Sequence, residues 1–113
     1  MSQLPLDGIR VLDSTYVFAL PYAGGLLADF GAEVIKLEGP GHPDTTRTAG
    51  LAGAYPENEL GEDWWNRPST YNLIHRGKSS LTLDMTNERG RDLFRQLVAV
   101  SDVVINNNSP RVM

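Results

Sequence analysis

The sequence predicts an α/β fold, a parallel sheet with flanking helices. Two observations carry this. First, Pro5 to Glu38 holds two β-rich runs around one glycine-bearing helical stretch, and about 34 residues is close to the shortest βαβ unit. Second, residues 80–106 give the order strand, helix, strand again. Strands that alternate with helices imply parallel pairing.

Each element has a local reason. Ile9–Asp13 is β-rich and bounded by Gly8, so it reads as the first strand. Ser14–Leu20 reads as a loop, and Pro21 suits the first helical position, where a missing N–H is harmless. Ala23, Leu26, Leu27 and Phe30 follow at i, i+3, i+4 and i+7 and predict the buried helix face. Gly31 is the expected left-handed cap. Gly24 and Gly25 lie inside this helix, where each costs about 1 kcal/mol relative to Ala. Close packing on the sheet is the favoured explanation, and close approach of a ligand is the alternative.

Glu33–Leu37 is the second predicted strand. From Gly39 to about His75 the chain is rich in Gly, Pro, Asn and acidic residues, with Trp64 beside Trp65. Loops beyond about 15 residues are uncommon, and adjacent tryptophans argue against disorder. The segment predicts a partly packed excursion over the sheet's end. Ser80–Asp84 alternates as a third strand. Thr86 or Asn87 can cap the next helix, with Glu88 at its positive end and Leu93, Phe94, Leu97 and Val98 as its buried face. Asp102–Asn106 is the fourth strand. Its apolar run, Val103–Ile105, wants cover on both faces, yet the sequence stops at Met113 before another helix. Residues 1–113 therefore read as the N-terminal part of a larger domain.

Bulk composition excludes several classes. The chain has 113 residues, 41% hydrophobic and 21% charged, with a formal net charge of −4. An acidic chain without a basic run argues against nucleic acid as a partner. The absence of cysteine removes disulfides and thiolate chemistry. No apolar leader opens the chain, and no apolar run reaches the roughly 18 residues of a membrane span. A cytoplasmic protein without a membrane partner is expected.

The motifs narrow the site. Asp13 to Leu20, the first strand-to-helix turn, contains no glycine, so neither the dinucleotide fingerprint nor a phosphate-cradling loop is present. Glu38 ends the second strand, where a ribose could be held, but without that turn it reads as a solvated or structural carboxylate. His42-Pro43-Asp44 lacks the spacing of a preformed metal pair. His75-Arg76-Gly77-Lys78 is either a solvated basic turn or a phosphate contact through Arg76 and Lys78. Asn106 to Pro110 favours a turn, at the end of the sheet where α/β proteins bind ligands.

Leu6 to Asp13 and Leu27 to Glu38 resemble the N-terminus of the class III CoA-transferases, the CaiB/BaiF family. Arg76 to Asp84 resembles that family's NRxKRSxxLDL segment, and Asp102 to Asn107 with Pro110 resembles its ADVxxENxxPG. The stretch from Tyr55 to Arg67 is similar to the subgroup acting on aromatic succinates such as benzylsuccinate. The resemblance implies a Rossmann-like sheet and transfer of coenzyme A from an acyl-CoA to a carboxylic acid. An aspartate would form a mixed anhydride; it would lie beyond Met113, so this chain alone would be inactive. No permanently bound cofactor is implied, since coenzyme A is substrate, and the full-length protein would be an interlocked dimer. An acyl-CoA racemase of the same fold, or a non-catalytic CoA-binding subunit, is the alternative.

By the same resemblance, Phe18 and Ala19 fall near the nucleotide in the first loop, Leu83, Asp84, Met85 and Thr86 after the third strand, and Asn107, Asn108 and Ser109 after the fourth. Gly39 stands where several members carry an arginine near the adenine or its phosphate. Phe18 replaces a polar residue of the formyl-CoA members, and Asn106 and Asn108 replace the usual Glu and Phe.

Overall fold

The computed structural model describes residues 3–47 and 61–111. Part of the Tyr55 to Arg67 stretch, from Tyr55 to Leu60, falls outside the described residues. The elements in chain order are β1 (Arg10–Ser14), α1 (Ala19–Asp29), β2 (Glu33–Glu38), a 3-10 turn (Thr45–Arg47), a second (Trp64–Asn66), α2 (Ser69–Ile74), β3 (Ser79–Thr82), α3 (Glu88–Ala99) and β4 (Val103–Asn106). All strand pairs are parallel and the sheet order is β3-β2-β1-β4. This is the predicted fold class.

The register places Asp13 opposite Lys36 in β2 and opposite Ile105 in β4. The β1-to-β2 and β3-to-β4 crossovers run in opposite directions along the sheet. With the usual right-handed sense, α1 and α3 cover opposite faces. Val11, Ala32 and Val34 form the apolar centre beneath α1, with Leu6, Ile9, Leu27, Ala28 and Ile105 around it. Leu12 is fully buried, which stabilises the fold by about 1.5–3 kcal/mol relative to exposure.

The apolar stripe of α1 is only partly its packing face: Ala23 and Leu27 are half-buried, and Leu27 packs against the apolar centre. Leu26 and Phe30 are exposed, whereas Pro21, Gly24 and Gly25 are buried. Apolar character and burial part here because the helix lies too close to its neighbours for side chains. A Cβ on Gly24 would stand 2.8 Å from Asp13 Oδ2, and one on Gly25 would stand 2.9 Å from the Ile74 carbonyl oxygen. The close-packing explanation of the two glycines holds. Gly31 takes φ +104 after the helix, as a left-handed cap requires.

In α3 the cap is Asn87, whose side chain accepts from the Gly90 N–H at 2.8 Å. Glu88 sits in the first turn as expected. The predicted buried face of α3 is only partly covered: Phe94 and Leu97 are half-buried, while Leu93 and Val98 are exposed. Val103 and Val104 of β4 are exposed as well. Within the long excursion lies an element not anticipated from the sequence, α2, a six-residue helix that buries Tyr71 and Ile74.

Gly25→Ala tests the close approach. On an open helix this change would stabilise by about 1 kcal/mol. Here the new methyl meets backbone, and a net loss of about 1–3 kcal/mol is expected from overpacking. Urea denaturation checks the sign.

Candidate functional site

Parallel strands bring the β1, β2, β3 and β4 carboxyl ends to one rim of the sheet. A crevice of about 960 Å³ opens there, lined by Ser14 and Tyr16 after β1, Leu37 to Pro43 and Thr45 around β2, Leu83 to Thr86 after β3, and Asn108 after β4. This is where open α/β sheets bind ligands. Five residues expected from the sequence therefore share the crevice: Leu83, Asp84, Met85, Thr86 and Asn108.

The rim is shaped by short polar turns. The Leu83 N–H donates to the Glu38 carbonyl at 2.9 Å, which prolongs the β2–β3 pairing into the crevice. Asp84 Oδ1 accepts from the Thr86 N–H and hydroxyl at 2.9 and 2.5 Å. These Thr86 bonds hold the Asp84 carboxyl below its ordinary value. Asn107 grips the first loop from both sides: its Oδ1 accepts from the Tyr16 N–H at 2.9 Å and its Nδ2 donates to the Tyr16 carbonyl at 2.7 Å. Asn108 Nδ2 donates to the Ser14 carbonyl at 3.4 Å.

The other expected residues lie elsewhere. Phe18 and Ala19 begin α1 on the exposed surface, with Phe18 stacked on Tyr22. Ser109 is exposed beyond β4. Arg76 is held on the flank of α1, donating to Asp29 Oδ2 at 2.7 Å and to the Leu73 carbonyl at 3.0 Å. Lys78 is interior, its side chain 1% exposed. The basic turn thus gives both charges to internal partners. Of the wall from Gly39 to Pro43, the resemblance pointed only to Gly39; Pro40 to Pro43 were missed as a site, although their position after a strand's carboxyl end was the available signal.

Beneath the crevice lies a buried polar cluster. Lys36 Nζ sits 3.1 Å from Asp44 Oδ2 and also donates to the Thr15 carbonyl. Lys78 Nζ donates to Asp13 Oδ2 at 2.5 Å and to the Pro21 carbonyl at 2.8 Å. Arg47 binds Glu38 through two nitrogens, at 2.7 and 2.9 Å, and also donates to Tyr71 Oη. Of the two readings left open for Glu38, solvated or structural, the structure shows the structural one. His75 joins the halves. Its Nδ1 lies 2.8 Å from Lys78 Nζ and its Nε2 lies 3.3 Å from Asp44 Oδ2. An ammonium can only donate, so we assign the neutral tautomer with the proton on Nε2.

The titration behaviour follows from these partners. Burial lowers His75 below its ordinary 6.5, against the pull of Asp44. Burial would raise Asp44, but the His75, Thr46 and Lys36 contacts outweigh it and hold the carboxyl well below its usual range. Burial is likewise outweighed at Glu38, where Arg47 keeps the carboxyl low. Among the described residues, no group of three or more His, Asp or Glu side chains is placed to hold a metal ion. No described helix is long and apolar enough to cross a membrane.

Two outcomes are expected. Lys78→Met leaves Asp13 buried and unpaired and should lower stability by about 3–5 kcal/mol. The Asp13→Asn/Lys78→Met double variant should lose less than Lys78→Met alone, as read by denaturant midpoints. The second outcome concerns pH. A base with a depressed folded value contributes stability above its ordinary 6.5 and loses it as pH falls. Glu38 and Asp44 add further loss only below their ordinary 4.5 and 3.8. Stability should therefore already decline between about pH 6.5 and 5.5, and His75→Gln should flatten that interval.

Comparison with known proteins agrees with the geometry. The chain is 40% identical over 111 residues to the succinyl-CoA–L-malate CoA-transferase alpha subunit of Chloroflexus aurantiacus, covering 98% of this chain and 24% of that protein. It is 39% identical over 110 residues to the mouse succinyl-CoA:glutarate CoA-transferase, covering 96% and 23%. It superposes on a CaiB/BaiF family protein from Brucella suis with a TM-score of 0.75 and 41% identity, over 95% of this chain and 26% of that one. The chain spans about a quarter of the length of the curated relatives it matches. The family model for CoA-transferase family III matches residues 6–113, and the chain belongs to that family.

Proposed function

We propose that this chain forms the acyl-CoA-binding part of a CoA-transferase and that the crevice at the strand carboxyl ends receives coenzyme A. The observation that carries the reading is the convergence of Leu83 to Thr86 and Asn108, from separate elements, on one crevice. Phe18 and Ala19, in the chain that follows β1, and Asn107 and Ser109, after β4, complete the proposed contact set.

The reaction is an exchange of coenzyme A between two acyl groups. A carboxylate attacks the thioester carbonyl carbon, the C–S bond breaks and CoA thiolate departs, leaving a mixed anhydride. The thiolate then attacks the enzyme's carbonyl in that anhydride, the donor carboxylate leaves, and an enzyme-bound CoA thioester results. An incoming carboxylate attacks this thioester and expels the thiolate, forming a second anhydride; the thiolate takes the new acyl group and the enzyme carboxylate is freed. This divides one difficult step into easier ones. Asp13 and Asp44 are fully buried and Asp84 is held in its own turn. The family resemblance, in which Asp13, Asp44 and Asp84 match other motif positions, implies that the proposed aspartate nucleophile lies outside residues 1–113, so this chain by itself should not transfer CoA.

A second reading draws on the Chloroflexus aurantiacus relative, which is an alpha subunit. In it, this polypeptide binds CoA and works with a second, related chain.

Calorimetry with coenzyme A on the full natural protein tests the proposal. Met85→Trp should fill the crevice and weaken binding by at least about 1.4 kcal/mol, a factor of ten. Arg76→Ala reports on the basic turn, and unchanged affinity would remove the proposed phosphate contact there. Absence of CoA binding by the wild type would overturn the reading.

A further inference from the structure

We propose that Lys36 is a positioning residue for the acyl-CoA crevice. Its buried ammonium ties the two loops of the crevice wall into one corner. The inference rests on the reading that the crevice receives coenzyme A.

Lys36 lies within β2, opposite Asp13. A lysine in a strand ordinarily carries its charged end out to water. Here the side chain is 1% exposed and the charge stays inside. Its Nζ donates to the Thr15 carbonyl, lies 3.1 Å from Asp44 Oδ2 and sits 4.5 Å from the centre of the Tyr16 ring. Thr15 and Tyr16 belong to the loop after β1, while Asp44 closes the loop after β2. Those loops supply Tyr16 and Gly39 to Pro43 to the crevice lining. Tyr16 Oη then donates to the His42 carbonyl at 3.2 Å and joins the two loops again at the mouth.

The next residue gives an independent sign that this corner is held under load. Val17 has φ +74. For a β-branched residue this is a true outlier, and such conformations persist only where the surroundings fix them. The fixings are the Lys36 bond to Thr15 and the two Asn107 bonds to Tyr16. Without the ammonium the Thr15 carbonyl is released. Val17 can then relax to negative φ and carry Tyr16 away from the crevice. The polar pocket of about 400 Å³ behind the cluster, lined in part by Lys36, Arg47 and Lys78, does not compete as a site for an anion. The three cations there already face Asp44, Glu38 and Asp13.

The test is a double-variant cycle on the full natural protein, with coenzyme A as the calorimetric probe and near-ultraviolet dichroism to confirm folding. Lys36→Met fills the same space without the charge and should weaken CoA about tenfold, and Tyr16→Phe about threefold. The combined variant should bind no more weakly than Lys36→Met alone, because both act through one corner. A loss of general stability would give no such coupling. Wild-type affinity in Lys36→Met, or two effects that multiply, overturns the proposal. Should Lys36→Met not fold, Tyr16→Phe alone decides, since its ring is partly exposed; unchanged affinity overturns the proposal. A wild type that binds no CoA removes the functional reading and this inference together. Binding that Lys36→Met leaves intact removes the inference alone.

Discussion

The fold rests on the pairing of three buried cations with three buried carboxylates. Lys36 faces Asp44, Lys78 faces Asp13 and Arg47 faces Glu38, with neutral His75 between two of the pairs. Every member lies on or beside the sheet face that α1 and α2 cover. An ammonium taken out of water is tolerated only when its partner and further hydrogen bonds are in place. The cluster therefore fixes how close α1 can sit, where α2 docks and how the loops leave β1 and β2. A purely apolar filling could be as stable, but it would not dictate the directions of those loops.

How much was legible in the sequence follows from the same fact. The strands and the βαβ order were readable because Val11, Leu12, Val34 and Leu37 are apolar and buried. The glycines of α1 were readable as close packing. The α1 face was partly misread because hydrophobic periodicity marks apolar side chains, and this helix buries its least bulky residues most deeply instead. Lys36, Glu38 and Asp44 were not readable as interior. A strand reading Glu-Val-Ile-Lys-Leu-Glu resembles one with a wet face, and only the fold shows what balances its charges. Of the site, Gly39, Leu83 to Thr86 and Asn108 came from the family resemblance, while Pro40 to Pro43 offered only a place in the chain order.

The crevice and the cluster are two sides of one arrangement. Asp44 closes the loop after β2 from below, and His42, two residues earlier, lines the crevice above. Glu38 uses its side chain for Arg47 and Tyr71 and its carbonyl for Leu83. Binding surface and support are thus only a residue or two apart, so a charge change below reaches the wall above without any long path. Under the proposed function, that wall would receive a thioester substrate.

The glycine pair of α1 has a kinetic consequence. The helix has no side-chain N-cap, no acidic residue in its first turn and no basic residue in its last. With Pro21, Gly24 and Gly25 inside it, it has little helical tendency of its own. It cannot serve as an early local nucleus, because nucleation is already unfavourable for good helix formers. Helix α3, with its Asn87 cap and Glu88, can start locally. The first βαβ unit must then assemble as a whole, with α1 winding only as β1 and β2 meet. The crevice would be among the last parts of the molecule to take shape.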